Sequence, residues 1–149
     1  MSGPDRLARG LRGGRTAPQC RAMRGLFLIA LGSALGGVAR NGLTGWLAQR
    51  AGDVFPWGTL AVNVLGSLVV GSLAAFGDSP RWGLSVEARQ FLMIGLLGGF
   101  TTFSAFSLQT LRLLQEGDWV RAWGNALLSV GLGLAAAAAG YRLVRGLLV

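Results

Sequence analysis

Gly95-Leu96-Leu97-Gly98-Gly99-Phe100-Thr101-Thr102-Phe103-Ser104-Ala105-Phe106-Ser107 is the stretch on which the reading of the whole chain turns. It lies inside a long apolar segment, yet it holds three glycines and four hydroxyl residues at what is mid-membrane depth. A simple anchor has no use for that composition. Adjacent Gly98 and Gly99 loosen the backbone, and the threonines after them can bond to carbonyls that a broken helix sets free. Backbone opened at hydrocarbon depth is tolerated only where it faces protein or lines a polar cavity. Phe103 and Phe106, three apart, project from one face of a helix that resumes after the break. Ring edges carry partial positive charge, so they can face an anion without a formal charge. A broken helix followed by a phenylalanine pair predicts a pore.

Working outward, the chain has 149 residues, of which 52% are hydrophobic and 13% charged, with 25 glycines. Soluble domains carry roughly a quarter charged residues, so this chain is too apolar for water. Four apolar segments each approach the roughly 20 residues that a spanning helix needs. The expected fold is an all-α membrane protein of one domain, with four transmembrane helices and a broken third. The net charge is +8, and all 14 basic residues are arginine. Most stand in the N-terminal tail and at span ends, where arginine meets headgroups or marks cytoplasmic loops. They are not interleaved with aromatics on a soluble face, so no nucleic-acid partner is expected. Cys20 is the only cysteine and histidine is absent, which excludes an intrachain disulfide, a zinc site and histidine catalysis.

Residues 1–24 read as a disordered basic tail with six arginines and one acid, Asp5. Met23-Arg24-Gly25-Leu26 looks like a natural beginning, so the tail is expected to be an appendage, or an upstream misassigned start, ahead of a channel domain at 25–149. A signal peptide is disfavoured, because the apolar run continues past Ala34 without a small-x-small cleavage site. The first span covers about 26 to 47, with Gly32/Gly36 and Ser33/Gly37 placed four apart for close helix contact. Arg40 falls near its end: it either snorkels to headgroups or acts as a structural cation by a vestibule, and the sequence divides these evenly. Pro56 suits the first turn of the second span, about 57 to 76, with Trp57 as an interfacial anchor. On it Thr59, Asn63, Ser67 and Gly71 form a stripe at intervals of four. Periodicity alone makes Asn63 an interhelical hydrogen bonder rather than an anion ligand. A turn at 77–81 leads to an interfacial stretch with Trp82 at headgroup level. The third span reaches about Leu114, Gly117 stops it, and the fourth runs from about 120 to 143. Asn125, Ser129 and Gly133 again recur by four, ahead of the packing run Ala135–Gly140.

No carboxylate stands near the middle of a span, which disfavours proton-coupled export. No nucleophile has a plausible base, so no enzyme activity is expected. Hydroxyls, two asparagines, glycine-rich backbone and phenylalanines remain in the membrane. Such groups suit passive conduction.

Gly36-Gly37-Val38-Ala39-Arg40, Gly58-Thr59-Leu60-Ala61-Val62-Asn63-Val64-Leu65-Gly66 and Gly98 through Ser107 fall in order on three successive spans. They resemble the CrcB/Fluc fluoride channels, over about 26 to 145. The resemblance implies a dual-topology antiparallel homodimer in the cell's inner (plasma) membrane, multi-pass, with two fluoride pores. It also implies a structural sodium ion at the dimer interface, held by backbone carbonyls of Gly98 and Thr101. By motif, Phe103 and Phe106 supply ring edges along the fluoride path and Asn63 the pore amide. Asn125, Ser129 and Thr59 supply further polar groups, with Arg40 near a vestibule. The implied function is passive export of cytoplasmic fluoride to reduce its toxicity. The alternative is a structural membrane protein, or a non-conducting half of a heteromeric pair. Ala105 stands where the family pattern has threonine, and Asn125 where tyrosine is frequent, so the polar track differs there.

Overall fold

The computed structural model describes residues 16–52, 54–79 and 83–148. Helix α1 is Thr16–Ala51 and α2 is Trp57–Gly77. The third span is composite: α3 (Val86–Arg89), a π-helical segment (Gln90–Leu97), α4 (Gly98–Phe100), and, beyond a break, α5 (Phe103–Gln115). Helix α6 is Trp119–Leu148. Among the described residues, four helical spans are thus long and apolar enough to cross a membrane, as expected. Of the turn expected at 77–81, residues 77–79 are described and close α2, with Asp78 N–H on the Ala74 carbonyl and Ser79 N–H on that of Phe76. Arg81 and the headgroup anchor expected at Trp82 lie outside the described residues, as do residues 1–15 of the tail. Residues 16–24, expected to belong to that tail, are instead the first part of α1. Ala17, Gln19, Arg21, Ala22 and Met23 are good helix formers, so prolonging an existing helix through them is favourable.

Local chemistry sets the ends. Gly52 closes α1 at φ +73°, a left-handed conformation, with its N–H on the Ala48 carbonyl at 3.0 Å. Pro56 is the N-cap of α2, and its carbonyl takes the first helical bond, from Leu60, at 3.1 Å. At the foot of α5, Gly117 adopts φ +79°; its N–H bonds to Leu114 and that of Asp118 to Leu113. This paired pattern ends one helix while Asp118 begins the next, its carboxylate accepting from Arg121 N–H at 3.1 Å. The glycine stop expected at 117 is therefore present.

Two backbone-close crossings build the helix bundle. In the first, α1 meets the third span through reciprocal glycines. A side chain at Gly36 would strike the Leu96 carbonyl, and one at Gly99 would lie 2.5 Å from the Ser33 carbonyl. Gly32 and Gly95 face each other in the same seam. In the second, α2 packs along α6: Gly71 abuts the Ala137 carbonyl, and Gly140 abuts that of Leu68. The expected packing role of the alanine-rich run is realised at Ala137 and Gly140. Small residues serve here because lipid offers no hydrophobic drive for association; close van der Waals contact supplies it instead.

Candidate functional site

The break lies at Thr101 (φ −81°, ψ 157°) and Thr102 (φ −150°, ψ 118°), both extended. It was expected at the glycine pair, but Gly98 and Gly99 are helical. Gly99 is needed for contact with α1, where an added Cβ would lie 2.5 Å from the Ser33 carbonyl, whereas one at Gly98 would meet only the Met93 carbonyl of its own span, at 4.0 Å. The extended residues are held from α2. Thr102 N–H donates to Asn63 Oδ1 at 2.8 Å, and Asn63 Nδ2 donates back to the Thr102 carbonyl at 3.0 Å. Thr101 Oγ1 donates to the Leu97 carbonyl at 3.0 Å, as expected of a threonine beside a break. Thr102 Oγ1 then caps α5, accepting from Ala105 N–H at 3.2 Å and meeting Ser104 Oγ at 3.2 Å.

The break changes which oxygens are occupied. In a continuous helix Thr102 N–H would reach the Gly98 carbonyl, and Ala105 N–H that of Thr101. Here both amides are engaged elsewhere, so these two carbonyls lose their ordinary donors. Hard backbone oxygens of this kind suit an alkali cation. No cluster of three potential metal-binding side chains occurs among the described residues. The residues present therefore fit the sodium expectation.

Beside the break is a groove of about 370 Å³. Asn63, Ser129, Gly98, Thr101, Phe103 and Phe106 all contribute to its wall. The two rings lie on one face, with centroids 5.4 Å apart and planes tilted by 49°. Phe103 is 78% exposed in the single chain. Asn125 is not on this wall: it is fully buried behind it, at 0% exposure. Its Nδ2 donates to Thr110 Oγ1 at 2.8 Å, and Thr110 Oγ1 donates to the Phe106 carbonyl at 2.8 Å. On the other side Ser129 Oγ reaches Asn125 Oδ1 at 3.4 Å. A polar chain thus connects the groove wall to the turn that carries Phe106.

A larger cavity of about 680 Å³ opens near the far end of α5. Thr59, buried and one turn of α2 from Asn63, belongs to its wall rather than to the groove. The α2 stripe therefore runs from one cavity to the other. Arg40 lines neither; it is half-buried on α1, and its carbonyl accepts from the Thr44 hydroxyl at 2.9 Å. Thr44 and Asn41, beside it, do line the larger cavity. Two residues escaped the sequence reading. Thr110 completes the Asn125 chain, and Gln109 lines the larger cavity with a buried Oε1 that has no hydrogen-bond partner among the described residues. Their signal was present: they stand three and four residues after Phe106, on the same helical surface.

The sequence is similar to known proteins over most of its length. The family model described as CrcB-like protein, Camphor Resistance (CrcB), matches residues 27–141, which contain every site residue above. A protein of Opitutus terrae named fluoride-specific ion channel FluC is 52% identical over 120 residues, covering 80% of this chain and 91% of its own. One of Rhizobium meliloti with the same name is 46% identical over 125 residues, covering 84% of this chain and 99% of its own. A third, from Methylocella silvestris, is 52% identical over 103 residues, or 68% and 79% of the two chains. By the extent of the family match and the identity of these relatives, the chain belongs to the CrcB-like family.

Proposed function

We propose that this chain is a passive, fluoride-selective channel that lets cytoplasmic fluoride leave the cell. The observation that carries the proposal is one groove holding a helix break, a tilted phenylalanine pair and, beside the threonines of the break, the polar side chains of Asn63, Ser67 and Ser129. The relatives' names supply the ion. Fluoride would pass along the ring edges of Phe103 and Phe106. Asn63 uses one Nδ2 hydrogen on Thr102 and keeps a second for the groove. The Ser129 hydroxyl, held to Asn125 by a long bond, is a second donor. Selectivity over chloride comes from a narrow, largely dehydrated path whose few donors favour the smaller anion.

The working unit is an antiparallel homodimer of dual topology in the inner membrane, with a structural sodium ion at its interface. Phe103's exposure supports the dimer, as does the open space around Gly37 on α1, where an added side chain would meet nothing within 4 Å. Gly98 and Thr101 carbonyls would hold the sodium, whose charge compensates the oxygens that the break leaves bare. The test is fluoride efflux from liposomes containing the purified chain, with chloride measured alongside. Fast fluoride and negligible chloride release is expected. No release from folded protein, or equal release of both anions, would overturn the reading.

A further inference from the structure

We infer that Asn63 is the positioning residue that holds the third span open, so that one side chain sets both the free carbonyls and the anion groove. On the anion side the inference rests on the channel reading, and on the cation side on the sodium site. Its structural core rests on neither.

A helix interrupted at hydrocarbon depth tends to repair itself, because an unpaired amide there has no water to turn to. The simplest repair returns Thr102 N–H to the Gly98 carbonyl. Asn63 prevents this by satisfying Thr102 twice: Oδ1 takes its N–H at 2.8 Å, and Nδ2 gives to its carbonyl at 3.0 Å. A neighbouring β-strand would pair with an extended residue in the same manner. Because 39 residues separate the partners, this is a tertiary contact and not a local cap. Gly66, three residues along α2, completes the receptor. A side chain there would collide with the Thr101 methyl, so the glycine admits the first extended residue while Asn63 binds the second.

Closing the break would have two effects together. The Gly98 carbonyl would regain a donor, and the start of α5 would rotate as Thr101 and Thr102 left the extended region, carrying Phe103 and Phe106 with it. Asn63 thus acts on the ions mainly through the backbone. Its remaining N–H is the part left for direct contact.

Thr-Thr occurs once in the chain, so threonine labelled at its carbonyl carbon and amide nitrogen picks out the Thr101–Thr102 peptide in solid-state NMR. The experiment compares wild type, Asn63→Leu and Ser129→Ala, full length in lipid bilayers. Alongside, the thermal unfolding midpoint is titrated with sodium chloride against choline chloride. In Asn63→Leu the Thr101–Thr102 signal is expected to move to helical values. The sodium concentration for half-maximal stabilisation is expected to rise by about tenfold or more, as losing two hydrogen bonds implies. Ser129→Ala, which does not touch the break, is expected to keep the wild-type signal and sodium response. An extended Thr101–Thr102 signal with unaltered sodium dependence in Asn63→Leu would overturn the inference. If Asn63→Leu does not fold, Gly66→Ala and Asn63→Asp replace it, and an unchanged signal and sodium response in both overturn it equally. Wild-type protein indifferent to sodium would remove the cation half. Loss of the extended signal in Asn63→Leu, with no fluoride efflux from wild type, would sink the channel reading and leave Asn63's role standing.

Discussion

Phe103 and Phe106 differ in how they are held, and that sets what their replacement should do. Phe106 sits on the turn whose carbonyl is bonded by Thr110, itself bonded by the buried Asn125. Phe103, on the first turn of α5, is mostly exposed in the single chain. Isoleucine keeps apolar bulk but removes the ring edge, so Phe103→Ile and Phe106→Ile should each lower fluoride efflux. About tenfold is expected, the effect of losing ~1.4 kcal/mol of stabilisation at the barrier. The elution volume on size-exclusion chromatography should stay that of wild type, and unchanged efflux in both variants would rule out the ring-edge path. Asn125 predicts a different outcome. Asn125→Ala strands Ser129 and removes a donor from Thr110 in a buried place, so it should destabilise the fold by about 1–3 kcal/mol. The check is thermal unfolding in detergent. At this scale the sequence revealed which side chains are polar within the spans, because polarity there is rare. It did not reveal what they bind: Asn63 finds its partners 39 residues away, and no local pattern encodes that.

The helices were legible as spans because apolar run length is a property of the segment alone. How the third span is interrupted was only half legible. Gly98 and Gly99 looked like the hinge, yet they are helical, and the backbone departs two residues later under the hold of α2. The π-helical segment before them left no readable mark. The glycines that count are those at the crossings, and contact rather than flexibility distinguishes them. A side chain at Gly140 would meet the Leu68 carbonyl and lie 2.8 Å from Ser72 Oγ, whereas one at Gly124, on the same helix, would meet nothing within 4 Å. Gly140→Leu should therefore cost about 1–3 kcal/mol as α2 and α6 are forced apart. Gly124→Leu should cost nothing and stabilise by up to about 0.8 kcal/mol, since leucine is the better helix former. Comparing unfolding midpoints of the two variants decides it. Equal losses would mean that the α2–α6 seam is not the tight crossing described here.

At the scale of the whole molecule, arginine placement pulls against the symmetry that an antiparallel homodimer needs. With four spans, the N-terminal end of α1, the α2–α3 turn and the C-terminal end of α6 share one side of the bundle. That side carries Arg21, Arg24, Arg89, Arg142 and Arg145, while Arg50, Arg112 and Arg121 mark the other. The sequence ahead of α1, residues 1–15, holds four further arginines, Arg6, Arg9, Arg12 and Arg15. Positive residues near span ends hold a loop in the cytoplasm, so the full chain should favour one orientation, with both ends inside. An antiparallel homodimer then requires that a minority still inserts the other way. By the same charge rule, deleting residues 2–15 should move the ratio toward equality. Cys20 is a natural reporter of this ratio, being the only cysteine and exposed on α1. Membrane-impermeant maleimide applied to spheroplasts, before and after permeabilisation, measures the outward-facing fraction directly. A measurable outward fraction that rises in the truncated chain would support pairing of the chain with itself. Inward-facing protein alone, in both forms, would mean that its antiparallel partner is a different chain.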